Sequence, residues 1–157
     1  MPPIRVRPYE PSDRGFALGL APRLATGIPP WRETDRMVST ARDWVVSSLE
    51  RPAAKGQVFV AEDSNGTRLG FASVSEETHF TGEVQGYLGE LVVREEDEGQ
   101  GVGRALVAAC EEWSRERGHR ILALSTGVAN ARARRFYQGL GFAEEDVKLA
   151  KLLTRPP

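Results

Sequence analysis

Arg94-Glu95-Glu96-Asp97-Glu98-Gly99-Gln100-Gly101-Val102-Gly103-Arg104 (REEDEGQGVGR, 94–104) sets four carboxylates directly before three alternating glycines. The run before it, YLGELVV (87–93), reads as a strand. After it, Val102, Leu106, Ala109, Cys110 and Trp113 repeat at helical spacing, and Gly118 marks the helix end. A strand, a glycine loop and a helix in succession can make an anion site from backbone alone. The first amides of a helix have no partners inside it, the macrodipole adds positive potential, and glycine admits a ligand where a Cβ would collide. A dinucleotide fingerprint fails here, because the last position counted from Gly99 is Arg104; a P-loop fails because no Gly-Lys-Ser/Thr follows. Taken alone, the loop is equally well read as a cap for its helix.

Working outward, the segment 4–7 alternates apolar and basic residues and ends at Pro8, which predicts a short strand. Ser12 is a candidate N-cap for a helix running toward Leu24. A Pro/Gly-rich connection (27–35) leads into a second helix from about Thr34, with Met37, Ala41, Trp44, Val45 and Leu49 at helical spacing. QVFVA (57–61) and LGFASVS (69–75) flank Asn65-Gly66, a strong hairpin signal. The polar stretch 76–86 is expected to be a longer connection. Beyond Gly118 the reading is a strand at 120–126, a short helix from about Asn130 to Gly139, and a last strand around 147–153. The order predicts an α/β layer structure around a mixed sheet, as one domain over residues 1–157.

Bulk properties narrow the function classes. With 40% hydrophobic and 27% charged residues the chain is an ordinary globular protein, and a net charge of −1 gives no general attraction to nucleic acid or an anionic membrane. The single cysteine, Cys110, allows no intrachain disulfide. No apolar run approaches a membrane span, and the first residues lack the apolar core of a signal peptide, so a cytoplasmic location is expected. No second cysteine and no spaced histidine pair points to a metal site.

A second cluster decides what the loop is for. About 30 residues downstream lies Asn130-x-x-Ala133-x-x-Phe136-Tyr137-x-x-Leu140-Gly141-Phe142. Together with Gly99-Gln100-Gly101-Val102-Gly103-Arg104, in this order of elements, it resembles the GCN5-related N-acetyltransferase (GNAT) superfamily over nearly the whole chain. The resemblance implies a mostly antiparallel sheet splayed open between its fourth and fifth strands and flanked by helices. It implies acetyl-CoA in that gap, with the pyrophosphate on the loop from Gly99 to Arg104. Leu91 and Val93 would pair with the pantetheine arm through backbone groups, Asn130 would hydrogen-bond the arm, and Ala133 and Phe136 would flank it. One position departs from the family pattern: Glu98 stands where Gln or Arg is usual, which puts cofactor affinity in question.

Acetyl transfer to an amine needs the amine neutral, and with a pKa of roughly 10.4 only about one in a thousand is neutral at pH 7. Glu90, in an otherwise apolar strand, is a candidate general base; the alternatives are a substrate anchor or a structural carboxylate. By resemblance, Tyr137 is the acid that protonates the departing thiolate, its alternative being a core tyrosine, and an amide near Val93 polarises the thioester. The acids Glu76, Glu77, Glu83 and Glu90 around the acceptor mouth favour a small cationic primary amine; Trp31, in its Pro-rich loop, is read equally as a packing residue or a substrate contact, and Trp44 is expected in the core. The resulting expectation is direct acetyl transfer in a ternary complex. Its rivals are an acyl-CoA-binding sensor on the same fold, acetylation of a protein N-terminus or lysine, and an interaction protein whose glycine turn only caps a helix. A homodimer is compatible with the family.

Overall fold

The computed structural model describes residues 3–154. Strand β1 (Arg5–Pro8) leads through a 3-10 turn (Pro11–Asp13) to α1 (Arg14–Leu20), a second 3-10 stretch (Ala21–Ala25) and α2 (Thr34–Glu50). Then come β2 (Gly56–Glu62), β3 (Arg68–Thr78), β4 (Val84–Val93), α3 (Val102–Glu116), the two-residue β5 (Leu122–Ala123) and α4 (Ala131–Gly139). The sheet order is β1-β2-β3-β4-β5, antiparallel throughout except for the parallel β4–β5 pair.

Strand alternation divides the core into two layers. Val58, Val60, Phe71 and Val92 face α1, the second 3-10 stretch and α2, where they meet Ala17, Ala21 and Val45. Ala61, Ala72, Val74 and Leu88 face α3, against Val102, Leu106, Val107 and Cys110. Complete burial of Leu106 contributes on the order of 2 kcal/mol.

Two departures from regular pairing shape the centre. Ser73 pairs with Glu90 but Val74 pairs with Leu88, so Gly89 is an extra residue in β4. This bulge changes which face the strand presents: Leu88 packs beneath α3, whereas Glu90 reaches Ser48 of α2. A Cβ at Gly89 would stand 2.9 Å from the Ser73 hydroxyl. On the other edge, β5 pairs only Gly86 with Leu122 and Tyr87 with Ala123. From Leu88 onward β4 has β3 as its one partner among the described residues, and the sheet opens there into the splay that the family resemblance implies.

Several expected boundaries move. The stretch 76–86 is mostly strand: β3 runs to Thr78 and β4 begins at Val84, with the turn closed by His79 N–H to the Glu83 carbonyl at 2.9 Å. Its residues are polar because this end of the hairpin projects past the core, so hydrophobic alternation fails as a signal. The strand expected at 120–126 shrinks to Leu122–Ala123, because beyond the gap β4 offers no ladder to extend it. No strand forms at 147–153; Val147, Leu149 and Leu153 are exposed and no neighbouring strand satisfies their backbone. At the start, Ser12 is not the cap. Asp13 accepts the Glu10 N–H at 2.8 Å, and the helix is broken into α1 and two 3-10 pieces around Gly15, Gly19 and Pro22. Trp44 is half-exposed rather than core.

Candidate active site

The glycine loop adopts the conformation that glycine permits: Gly99 and Gly101 have φ of 76° and 88°. Gly101 is the N-cap of α3, no side chain caps the helix, and Ala105 is the first amide of the helix to find an acceptor, the Gly101 carbonyl at 3.1 Å. The amides of Val102, Gly103 and Arg104 therefore lack acceptors within the helix, and those of Gly103 and Arg104, outside the buried core, are the ones an anion can reach. Gly103 serves packing as well, since a Cβ there would lie 3.1 Å from the Phe136 ring. That close approach seats α4 on the first turn of α3.

The four carboxylates before the loop are all paired. Arg94 Nε contacts Asp97 at 2.5 Å and its Nη1 lies 3.6 Å from Glu96, while Arg23 lies 3.8 Å from Glu95. Glu98 has both oxygens taken, Oε1 by Arg23 and Oε2 by Arg132. The run of four carboxylates is thus largely offset by three arginines from three segments, and Arg104 stands exposed on the first turn of α3. Of the basic cluster on α4, Arg132 joins this network and Arg134 pairs with Glu144 at 2.7 Å.

Across the gap, Asn130 caps α4 through its side-chain oxygen, which accepts the Ala133 N–H at 3.2 Å. Its amide nitrogen keeps its two donors for a ligand. Leu91, Val93, Phe136 and Tyr137 all border the α3-side core cluster. Tyr137 sits edge-on between Phe136 and Phe142, at 5.2 and 5.6 Å between ring centroids. Burial pushes its phenol up to about 12, with a smaller contribution from the Cys110 thiol. Cys110 itself is buried and raised to about 12 by desolvation, an inert thiol.

Glu90 occupies the opposite face of β4. It is 4% exposed. Ser48 Oγ donates to its Oε1 at 2.7 Å, and Ser73 Oγ donates to Oε2 while accepting the Glu90 N–H at 3.0 Å. Desolvation raises its pKa; the two serines and Arg51 oppose the rise. The two serines were missed in the sequence, although each left a signal. Ser48 falls on the core stripe of α2, seven residues after Ala41, and Ser73 falls between Phe71 and Ser75 on the same strand face. Arg23 left none.

The other acids expected at the acceptor mouth are paired too. Glu76 meets Arg117 and His119, Glu83 meets Arg120 at 2.7 Å, and Glu77 accepts from Gln85 at 3.0 Å. Trp31 is half-exposed on the loop 26–33. Gly27 presses that loop onto the start of α4: a Cβ on it would fall 2.4 Å from the Asn130 Cβ. Among the described residues no group of three or more His, Cys, Asp or Glu could hold a metal ion. No helix among them is long and apolar enough to cross a membrane.

Comparison with known proteins agrees with this geometry. The family model described as "Acetyltransferase (GNAT) family" matches residues 23–142. Aminoglycoside N(6')-acetyltransferase type 1 of Klebsiella aerogenes is 32% identical over 143 residues, covering 88% of this chain and 89% of that protein. Its namesake from Stenotrophomonas maltophilia is 34% identical over 97 residues, 59% of this chain and 63% of its own length. The match therefore spans less than two thirds of the latter. Among solved structures, an acetyl transferase of Pyrococcus furiosus superposes with a TM-score of 0.78 at 18% identity, covering 96% of this chain and all of the other. An aminoglycoside N-acetyltransferase solved with CoA superposes at 0.69 with 21% identity, covering 98% and 97%. Both structures speak to the fold, and the fold, the family match and the relatives agree: the chain belongs to the acetyltransferase (GNAT) family.

Proposed function

We propose that the protein transfers the acetyl group of acetyl-CoA directly to a primary amine of a small molecule, in a ternary complex. The observation that carries this reading is the gap beside β4. Its cofactor end has the open amides of Gly103 and Arg104, and Tyr137 borders the α3 face while Glu90 borders the α2 face. In this reading the diphosphate lies on the loop from Gly99 to Arg104, Asn130 donates to the pantetheine arm, and Phe136 and Ala133 flank it. The acyl donor and the amine then arrive from opposite faces of one strand, which suits direct transfer.

Glu90 takes the ammonium proton, an assignment supported by its burial and raised pKa. The freed amine attacks the thioester, whose carbonyl is polarised by a β4 amide near Val93. As the tetrahedral intermediate collapses, the C–S bond breaks, Tyr137 gives its proton to the thiolate, and the attacking nitrogen releases its second proton to water, from which the phenolate is reprotonated. A phenol held at about 12 is fully protonated at neutral pH and can act in that role.

Two relatives that carry the name aminoglycoside N(6')-acetyltransferase favour an amino sugar as the acceptor class. Arginines pair with Glu76 and Glu83, while Glu77 meets only the neutral Gln85 and Glu90 is buried, so shape and the loop 26–33 carry more of the selection than mouth charge. The test is incubation with acetyl-CoA and a panel of amino sugars, polyamines, amino acids and peptide N-termini, read by mass spectrometry. A singly acetylated amino sugar is expected. Acetylation confined to peptides, or of no amine at all, would overturn the assignment.

A further inference from the structure

We propose that Arg23 and Arg132 bind the diphosphate of acetyl-CoA, and that Glu98 holds them at the glycine loop in the free protein as an internal anion. The inference rests on the acetyl-CoA reading and adds residues to it. Glu98 is the residue immediately before Gly99, so its two arginine partners stand beside the loop whose amides are open. One guanidinium comes from the 3-10 stretch Ala21–Ala25 and the other from the first turn of α4. Neither segment belongs to the loop, yet Glu98 draws both to it.

The pairs are suited to exchange. The Arg132 side chain is 69% exposed and the Glu98 side chain 28%, a boundary position where an ion pair holds little energy. A diphosphate brings more charge and more acceptor oxygens, in the geometry that guanidinium forks bind best. On binding, the two guanidinium–carboxylate contacts give way to guanidinium–phosphate contacts, and Glu98 is left to solvent. The carboxylate at a position where the family usually places Gln or Arg thus has a role: in the free protein it stands in for the ligand's anion on two cations. It also competes with the ligand for them.

The experiment is calorimetric titration of the full chain with acetyl-CoA and with S-acetylpantetheine, which lacks the diphosphate. The variants are R23Q, R132Q, E98Q and E98Q/R132Q, each checked for folding by circular dichroism. R23Q and R132Q are each expected to weaken acetyl-CoA about fivefold and to leave S-acetylpantetheine unchanged. E98Q is expected to tighten acetyl-CoA several-fold, most visibly at low salt, and this gain is expected to vanish in E98Q/R132Q. If the arginine variants bind acetyl-CoA like the parent, or if E98Q weakens it, Glu98 is a structural bridge and the proposal fails. If the parent chain binds neither compound, the acetyl-CoA reading itself fails.

Discussion

Glu90 is a carboxylate in a dry place with a hydroxyl on each oxygen. Its pKa is raised by desolvation, so its charged form is disfavoured in the fold. Two outcomes follow from that sign. The base is lost as pH falls through a value above the ordinary glutamate range of roughly 4.3, so kcat/KM should drop on the acid side earlier than for an exposed carboxylate. The charged group also costs folding at neutral pH, because its folded pKa exceeds its unfolded one. Glu90→Gln should therefore lose about 100-fold in kcat and remove the acid limb, while its Tm at pH 7.5 holds or rises. A variant that kept its rate would make Glu90 structural. Tyr137→Phe should lower kcat about tenfold or more with KM for acetyl-CoA little changed. With the phenol near 12, the parent enzyme should show no basic limb from Tyr137 below about pH 11. At this scale the sequence was informative for residues that break a pattern: a Glu in an apolar strand, a Tyr beside a Phe. It was silent on Arg23, a charge on an irregular turn whose partner lies 75 positions away.

Elements are placed by a few polar pins as much as by the core. Asp13, fully buried, accepts from Arg7 at 2.8 and 3.0 Å, from Arg68 at 2.6 Å and from the Glu10 amide. It ties the turn before α1 to β1 and β3. The Arg7 guanidinium holds its carboxyl far below the usual carboxylate range, against the opposing effect of burial. A depressed folded pKa contributes stability above the unfolded value of roughly 3.9, and that stability is lost as pH falls toward the folded value. Asp13→Asn should thus cost about 3–5 kcal/mol in urea unfolding at pH 7 and flatten the acid end of the stability curve. An unchanged midpoint would make the network decorative. Gly27 is the second pin: it combines φ 83° with direct contact on Asn130. Gly27→Ala should cost about 1–3 kcal/mol and raise KM for the amine through displacement of the loop 26–33; normal values would show that the loop is free. Element types were legible where periodicity was strong, as in α2, α3 and the β2–β3 hairpin. They were misread where strands are polar beyond the core, at 76–86, and where alternation lacks a partner, at 147–153.

For the molecule as a whole, one bulge and one short strand create the site. Gly89 turns Glu90 toward α2, and β5 stops at Ala123, so β4 keeps a free edge beside the glycine loop. The motifs 99–104 and 130–142 announced the fold because each needs backbone that this arrangement places side by side: open amides at Gly103 and Arg104, and Phe136 against Gly103. The acceptor was not legible, because the segments that would shape it carry no local pattern: 26–33 is irregular backbone, and the hairpin end at 76–86 is polar with paired side chains. The account stands on acetyl moving from CoA to an amine within one complex. Its most direct test is the initial rate of CoA thiol release, measured with acetyl-CoA and an amino-sugar acceptor varied together. Direct transfer predicts release only when the amine is present and reciprocal plots that intersect; thiol release without amine, parallel plots, or no release at all would contradict it.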